Sequence, residues 1–265
     1  MIVKDKVFVV TGGGNGIGRQ VVLNILTRGG HVAALDISGP ALEETIQLAG
    51  GLAKNLSTYI VDITKRDVIE ALPEKVFAQH KVVDGIINVA GIIQPFIDIN
   101  DLSYEKIEQV MNVNFYGTLY MVKTFLPHLL KRPEAHIVNI SSMGGFLPVP
   151  GQSIYGASKA AVKLMTEALY SELRDTNVRV TVVFPGGVGT DIMKNSGAEG
   201  TRKEKETNGK EKAYKVLSPE EAAEIIVKGM EKNKFRVRAG KDAVMMDRLY
   251  RLMPKKATEI IAEKL

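Results

Sequence analysis

The sequence predicts an α/β protein, in which one parallel β-sheet is covered by helices on both faces. Short apolar runs alternate with longer segments of helical periodicity along the chain. The apolar runs are continuous, which is typical of parallel strands that are buried on both faces. The alternation does not stop and restart, and no repeat of about 20–50 residues is visible. We therefore expect residues 1–265 to form a single domain.

The first elements follow from apolar spacing and glycine. The β-branched run Val7–Val10 predicts a strand that ends in a glycine-rich turn. Apolar residues that share one face predict a helix from Gly16 to Thr27, which Gly29 and Gly30 end. The same alternation then predicts, in order, a strand at His31–Asp36, a helix near Ala41–Ala49, a strand at Thr58–Val61, a helix near Arg66–Gln79 and a strand at Gly85–Val89.

The second half continues the pattern with longer helices. It predicts a helix from about Tyr104 to Leu130, a strand at His136–Ile140, a helix from about Ile154 to Arg174, a strand at Val178–Phe184 and a last strand at Phe235–Arg238. Ser218, Pro219 and Glu221 have the spacing of a capping box, so a helix begins there.

Two further segments have distinct compositions. Residues 194–217 are almost all polar as far as Ala213, and they follow a strand end, where ligands of such sheets bind. We expect a mobile substrate lid, with a plain surface insertion as the alternative. Residues 241–265 form a C-terminal helical extension. Its apolar stripe predicts core or subunit contact, with contact to a membrane surface as the alternative; the stripe is Met245, Met246, Leu249, Leu252 and Met253.

Composition excludes several classes of protein. The chain has no cysteine, and no two of its four histidines have the spacing that puts two ligands on one helix face, so we expect no metal site. The net charge is +5: residues 201–265 carry +6, with basic and acidic residues interleaved, and residues 1–200 carry −1. We interpret this as a solvated surface, and nucleic-acid binding is the alternative. No apolar run could span a bilayer and no signal-peptide layout is present, so we expect a cytoplasmic protein without stable membrane insertion.

A glycine-rich loop separates the first strand from the first helix. Its sequence is Thr11-Gly-Gly-Gly-Asn-Gly-Ile-Gly18. Gly12 allows a sharp turn, Gly16 lets a phosphate approach the backbone, and Gly18 lets the helix pack close to the sheet. The free N–H groups at the helix N-terminus attract a pyrophosphate. A plain turn also needs glycine, but the strand–helix context favours a dinucleotide site.

Asp36 ends the second predicted strand, 18 residues after Gly18. A carboxylate at this place accepts hydrogen bonds from ribose hydroxyls and repels a 2′-phosphate. Asn15, Ile37 and Ser38 offer no cation to hold such a phosphate. We therefore predict NAD as the cofactor; an aspartate that only caps the next turn is the alternative.

Tyr155 and Lys159 lie one helical turn apart on one predicted face. A tyrosine has a pKa near about 10, and a neighbouring ammonium lowers it. Tyr155 then becomes a general acid/base for an alcohol oxygen. Ser142 follows a predicted strand, and its hydroxyl could hold the same oxygen. A Tyr/Lys pair alone would be interpreted as a surface pair, but the glycine loop reverses that judgement.

These features together resemble the classical short-chain dehydrogenase/reductase family over nearly the whole chain. The resemblance rests on the glycine loop, Asn88-Val-Ala-Gly91, Asn114, Asn139-Ile-Ser-Ser142, Tyr155-Gly-Ala-Ser-Lys159 and Pro185-Gly186. It implies a single Rossmann-type, doubly wound domain with about seven parallel strands. It also implies a catalytic tetrad of Asn114, Ser142, Tyr155 and Lys159. In the family, the residue at Lys159 also bonds the nicotinamide ribose, and the one at Asn114 holds a relay water.

The resemblance also implies a set of cofactor contacts. Asp62 matches an adenine contact, Thr190 matches a contact to the nicotinamide carboxamide, and Asn88 to Gly91 border the cofactor. The cofactor set predicted in full is Gly12, Asn15, Gly16, Ile17, Gly18, Asp36, Asp62, Ile63, Asn88, Ala90, Gly91, Tyr155, Lys159, Pro185, Gly186, Val188 and Thr190. Val89 departs from the asparagine that is frequent in the family, with no consequence for catalysis.

We predict an NAD(H)-dependent oxidoreductase acting on a hydrophobic secondary alcohol or ketone. Ser142, Phe146, Tyr155 and Met193 are the predicted substrate contacts. The alternatives are a non-catalytic dinucleotide-binding sensor, an NADP(H)-dependent carbonyl reductase and a nucleic-acid binder. The family also implies a homodimer or homotetramer, packed through the helices near 104–130 and 154–174.

Overall fold

A computed structural model describes residues 1–198 and 216–264 of the chain. Within these residues the strands form one seven-stranded sheet in the order β3-β2-β1-β4-β5-β6-β7, and every neighbouring pair is parallel. The strands are β1 (Val7–Thr11), β2 (His31–Asp36), β3 (Leu56–Ile60), β4 (Gly85–Asn88), β5 (Ala135–Ile140), β6 (Val178–Pro185) and β7 (Arg236–Ala239). This is the predicted Rossmann-type sheet.

Helices make the connections between the strands. They are α1 (Gly16–Thr27), α2 (Gly39–Ala49), α3 (Arg66–Glu70), α4 (Leu72–His80), α5 (Tyr104–Met111), α6 (Thr118–Leu129), α7 (Ser153–Glu172), α8 (Ile192–Asn195), α9 (Pro219–Glu231), α10 (Lys241–Leu252) and α11 (Pro254–Lys264). Short 3₁₀ turns lie at Gly50–Asn55 and Met143–Gly145, and a π-helical segment spans Asn112–Gly117.

Both faces of the sheet are buried, and β1 shows how. Phe8 and Val10 belong to the apolar cluster that contains residues of α1 and α9. Val9, between them, belongs to the cluster on the other face, with residues of α6 and α7. Successive side chains of a strand point to opposite faces, so an all-apolar run supplies both cores. The prediction of a sheet covered on both sides is confirmed.

Two predicted helices differ from the observed ones. The helix expected at 66–79 is divided at Ala71, and Pro73 lies in the first turn of α4. Proline cannot donate an N–H and is tolerated only in the first turn, so the helix restarts there. The helix expected at 104–130 contains the π-helical segment Asn112–Gly117.

The capping box predicted at Ser218 is present. The Ser218 hydroxyl accepts a hydrogen bond from the Glu221 N–H (3.1 Å), and the Glu221 carboxylate accepts one from the Ser218 N–H (3.1 Å). Leu217, just before it, forms an isolated β-bridge with Val188. Residues 199–215 of the predicted lid (194–217) lie outside the described residues.

The C-terminal extension packs against the turn after β5. Met246 and Ala257 are buried in a cluster with Leu147. The predicted apolar stripe is therefore split, since Met246 is buried whereas Leu252 is 80% exposed. Among the described residues, no helix has both the length and the apolar character that a bilayer crossing needs. In the same parts of the chain, no group of three or more His, Asp or Glu side chains could hold a metal ion.

Candidate active site

A cleft of about 1640 Å³ lies along the carboxyl ends of the central strands. Ligands of open parallel sheets bind at this edge. Most of the predicted site residues line it, namely Gly12, Asn15, Gly16, Ile17, Gly18, Asp36, Asp62, Ile63, Ala90, Gly91, Ser142, Tyr155, Lys159, Pro185, Gly186, Val188, Thr190 and Met193. Residues that the sequence analysis grouped from distant segments therefore lie together at one end of the sheet.

The glycine loop forms a tight cradle between β1 and α1. Gly12 and Gly16 adopt left-handed backbone angles, with φ of +70° and +49°. A Cβ at Gly18 would overlap the carbonyl oxygen of Gly12, so a side chain there would open the turn. Asn15 caps α1 by accepting a hydrogen bond from the Gly16 N–H (2.7 Å). The loop thus has the shape for a phosphate to approach the helix N-terminus.

Asp36 lies at the rim of the cradle, at the end of β2. Its carboxylate accepts hydrogen bonds from the N–H groups of Gly14 (2.9 Å) and Ser38 (3.0 Å). Sequence reasoning missed Arg19, which lies close by. Its guanidinium is hydrogen-bonded within the protein, because it donates to the Gly14 carbonyl (2.9 Å) and to the Glu44 carboxylate (2.6 Å). This contact holds the pKa of the Glu44 carboxyl below its usual value.

Asp62 lines the cleft, whereas Asn88 is buried in the sheet and is not among the residues that line it. The Asp62 carboxylate at the wall accepts hydrogen bonds from both the backbone and the hydroxyl of Thr64 (2.9 and 2.7 Å). Asn88 is buried within the sheet, and its amide donates to Asn139 (2.8 Å). Asn88, predicted as a cofactor contact, therefore braces β4 against β5 from behind the cleft.

Tyr155 and Ser142 both line the cleft, and a Cβ at Gly144 would lie 3.4 Å from the Tyr155 ring and 3.5 Å from the Ser142 hydroxyl oxygen. Ser142 is held in turn, because its hydroxyl accepts a hydrogen bond from the Gly144 N–H (3.0 Å). Burial raises the pKa of Tyr155, and the neighbouring Ser142 hydroxyl lowers it in part. This differs from the expectation that the Lys159 ammonium would lower the pKa of Tyr155 below its usual value. Desolvation penalises the phenolate, so Tyr155 is a protonated phenol at neutral pH.

Lys159 is buried below Tyr155 on α7, with 4% of its surface exposed. Its ammonium donates to the Ile140 carbonyl (3.1 Å). A Cβ at Gly91 would lie 3.0 Å from the Lys159 Nζ atom, so glycine leaves room for the ammonium. Burial lowers the pKa of Lys159 to about 8.

Asn114 lies in the π-helical segment and is fully buried. Its side-chain oxygen accepts a hydrogen bond from the Ile92 N–H (2.9 Å), and its amide donates to the Ile92 carbonyl (3.0 Å) and to the Ser158 hydroxyl (2.9 Å). Ser158 donates onward to the Tyr155 carbonyl (2.7 Å). Asn114 therefore joins the loop after β4 to the helix that carries Tyr155 and Lys159.

The end of the cleft near Met193 is largely apolar. Met193 lines it as predicted, whereas Phe146 packs against Phe184, with 5.5 Å between ring centroids, beside the C-terminal extension. Phe146 is thus a support for the wall. Sequence reasoning missed Ile261 of α11, which lines the cleft. Its only sequence signal is an apolar position in a helix far from every motif. Among the described lining residues, Lys159 is the single basic side chain.

Comparison with known proteins agrees with this architecture. The family model for short chain dehydrogenases matches residues 6–200, which is most of the chain. The chain belongs to the short chain dehydrogenase family. This is a family of oxidoreductases, and the resemblance drawn from the sequence is confirmed. Outside residues 6–200 lie α9, β7 and the C-terminal extension.

One relative of this short chain dehydrogenase is the putative oxidoreductase SadH of Mycobacterium tuberculosis, 35% identical over 98% of this chain and 95% of its own. Among solved structures, a short chain dehydrogenase/reductase of Burkholderia phymatum in complex with NAD superposes with a TM-score of 0.83, 24% identity and 95% coverage of both chains. A short chain dehydrogenase of Burkholderia cenocepacia in complex with NADP has a TM-score of 0.80 and 23% identity, covering 98% of this chain and 99% of its own. These structures share the fold.

Proposed function

We propose that this chain is an NAD(H)-dependent dehydrogenase that transfers a hydride between nicotinamide and a hydrophobic secondary alcohol or ketone. The observation that carries the proposal is that Tyr155 and Ser142 line the cleft together beside Gly144, with Lys159 buried one helical turn beyond Tyr155. A sensor of dinucleotides would need the glycine cradle but not this arrangement.

The cradle fits a nicotinamide dinucleotide. Gly12 and Gly16 leave the backbone open at the N-terminus of α1, where a pyrophosphate is attracted. Asp36, at the rim, is placed to accept hydrogen bonds from the adenosine ribose and to repel a 2′-phosphate. The bound cofactor would supply the hydride, and the protein supplies orientation and a proton. Asp36 is the residue that favours NAD, although the Burkholderia cenocepacia relative holds NADP.

Tyr155 and Ser142 would hold the substrate oxygen between their hydroxyl groups. In the reductive direction, the protonated Tyr155 phenol donates its proton to the alkoxide that develops on the carbonyl oxygen. In the oxidative direction, the Tyr155 oxygen takes the proton back from the alcohol. The charge of Lys159 stabilises the phenolate left on Tyr155 after donation. Ser142 orients the oxygen in both directions.

The walls of the cleft favour an uncharged substrate. Ile93, Phe96, Val149, Met193 and Ile261 line its substrate end. Since Lys159 is the single basic side chain among the described lining residues, nothing there would clamp a carboxylate. We therefore propose a ketone or secondary alcohol with apolar substituents.

The proposal is tested by a screen of carbonyls and alcohols with NAD(H), followed by the absorbance of NADH, on the wild type and on Tyr155→Phe. The phenylalanine keeps the ring but has no proton to give. We expect turnover to fall by at least about 100-fold, with the affinity for NADH unchanged.

A matched control is Tyr170→Phe, which removes an exposed hydroxyl from the other end of the same helix. It should leave turnover within about twofold of the wild type. Full activity in Tyr155→Phe would overturn the assignment. Binding of NADH with no turnover of any carbonyl or alcohol would instead favour the sensor.

A further inference from the structure

Gln94 is a fully buried polar side chain in the loop that follows β4, between Ile93 and Pro95. Its side-chain oxygen accepts hydrogen bonds from two backbone N–H groups, those of Ile154 (2.8 Å) and Tyr155 (2.9 Å). Its amide nitrogen donates to the Gly151 carbonyl (2.9 Å). Two donors at one end and a carbonyl at the other define which end of the amide is oxygen.

These bonds cap the helix that carries Tyr155 and Lys159. The first N–H groups of any α-helix have no partner within the helix. In α7 the residue before the first turn, Gln152, does not use its side chain for this purpose. Its amide nitrogen donates to the Gln94 carbonyl (2.9 Å) instead. The cap of α7 therefore comes from a loop that is remote in the sequence, and it includes the backbone N–H of Tyr155 itself.

The loop after β4, which carries Gln94, packs closely against the loop after β5, which carries Gly151. Gly151 has a φ of +72°, and a Cβ there would lie 3.2 Å from backbone atoms of Phe96 and Ile97. The loop of Gln94 is also held from its other side, because Asn114 bonds both the N–H and the carbonyl of Ile92. Hydrogen bonds thus connect the Tyr155 backbone to the loop of Gln94 and Ile92, and that loop to the buried Asn114.

We propose that Gln94 is a positioning residue, which sets the placement of the Tyr155 phenol relative to the cleft by capping the first turn of α7. This inference rests on the proposed function for its consequence in turnover, although the cap itself does not. Displacement of a reacting group by about 1 Å can cost on the order of 100-fold in rate, so a loose first turn would be felt in kcat.

Two variants at this position separate capping from simple packing. Gln94→Met keeps the length of the side chain and removes both acceptor and donor. Gln94→Glu keeps an acceptor for the Ile154 and Tyr155 N–H groups and loses the donor to Gly151. Ser103→Ala is the matched control, since it removes the side-chain cap of α5, an exposed bond to Lys106 (3.3 Å).

We expect Gln94→Met to lower kcat on the order of tenfold, with little change in KM or in NADH affinity. Gln94→Glu keeps the acceptor for the Ile154 and Tyr155 N–H groups but places a buried carboxylate oxygen against the Gly151 carbonyl, so it should recover only part of this loss. Ser103→Ala should change kcat by less than about twofold, even if its melting temperature falls as much as that of Gln94→Met. A purely structural role would make kcat follow the melting temperature in all three.

Amide hydrogen exchange at Ile154 and Tyr155 tests the cap independently of turnover. Exchange at both should be faster in Gln94→Met than in the wild type and unchanged in Ser103→Ala. If exchange is unchanged in Gln94→Met, or its kcat equals that of the wild type, the proposal is wrong. If no variant, the wild type included, turns over a substrate while exchange responds as expected, the proposed function falls and the cap stands.

Discussion

The buried ammonium of Lys159 imposes an electrostatic cost on folding. Its pKa falls from 10.5 to about 8 because burial penalises the ammonium. Folding is opposed by this cost in full below about pH 8, and the cost fades as pH rises toward 10.5, where the unfolded lysine also loses its proton. The pKa shift corresponds to a cost of about 3 kcal/mol for the buried ammonium. The hydrogen bond to the Ile140 carbonyl offsets only part of this cost.

We therefore expect Lys159→Met to be more stable than the wild type at pH 7, by about 2 kcal/mol, and to lose turnover. The stability advantage should shrink between pH 8 and pH 10. Urea unfolding at several pH values measures both quantities. Lys123→Met, at an exposed position of α6, is the control and should give a small difference without this pH dependence. A methionine variant less stable than the wild type at pH 7 would contradict the argument.

Asp36 decides the cofactor in the proposed function. Replacement by alanine removes the charge that repels a 2′-phosphate and the acceptor for two ribose hydroxyls. In Asp36→Ala the ratio of kcat/KM for NADPH over NADH should rise on the order of tenfold, since a hydrogen bond to a charged group is worth about 1.5–3 kcal/mol. Steady-state kinetics with both cofactors measure the ratio.

The control for this ratio is a variant that removes a different carboxylate charge from the cleft. Asp191→Asn changes an exposed carboxylate that lines the cleft near Thr190. It should leave the ratio of NADPH to NADH unchanged. An equal shift in both variants would indicate a general effect of charge rather than recognition of the ribose by Asp36.

At the scale of the element, the start of α9 depends on a local device. Ser218 and Glu221 satisfy each other's backbone N–H groups, and Pro219 occupies the first turn. Ser218→Ala should lower the free energy of unfolding by about 1 kcal/mol, because one helical N–H loses its acceptor. Chemical denaturation measures the change.

Ser171→Ala, at an exposed position in the last turn of α7, is the control. Alanine is the better helix former and no N-terminal donor is involved, so we expect no loss there. Equal losses at both positions would show that the hydroxyl of Ser218 contributes nothing as a cap.

The elements of this fold differ in how far the sequence predicts them. Val7–Val10 and His31–Asp36 were predicted within a residue of their bounds, because buried parallel strands are uninterrupted apolar runs between turns. The π-helical segment at Asn112–Gly117 was not predicted. A π-helical turn shifts the apolar spacing after it by only one residue, and such a shift does not by itself distinguish the turn from an ordinary α-helix.

At the scale of the whole molecule, the two ends of the cleft were predictable to different degrees. The half that we propose for the cofactor follows from glycines and acids at strand ends, the spacing that phosphate and ribose recognition requires in sheets of this kind. The substrate half is built by side chains with no shared spacing. Ile261 comes from the last described helix, and Phe146, expected in the cleft, packs behind it on Phe184.

Gln94 illustrates the remaining gap between sequence and site. Its neighbours in the chain are apolar, and a buried glutamine there has no local partner in the sequence. Its partners at Gly151, Ile154 and Tyr155 become visible only when the loops after β4 and β5 are folded against each other. Hydrogen bonds between distant loops are set by tertiary structure, which neither periodicity nor motif spacing encodes.

The order of the strands has a consequence for biosynthesis. β1 lies between β2 and β4, and Val9 pairs with Ala33 on one side and Ile86 on the other. As the nascent chain leaves the ribosome, Val7–Thr11 can pair with β2 early, but its other edge stays open until Gly85–Asn88 emerges. An apolar open edge is a template for misassembly. Translation that pauses before residue 85 would therefore present chaperones with a half-built sheet in which one edge of the apolar strand β1 is unprotected.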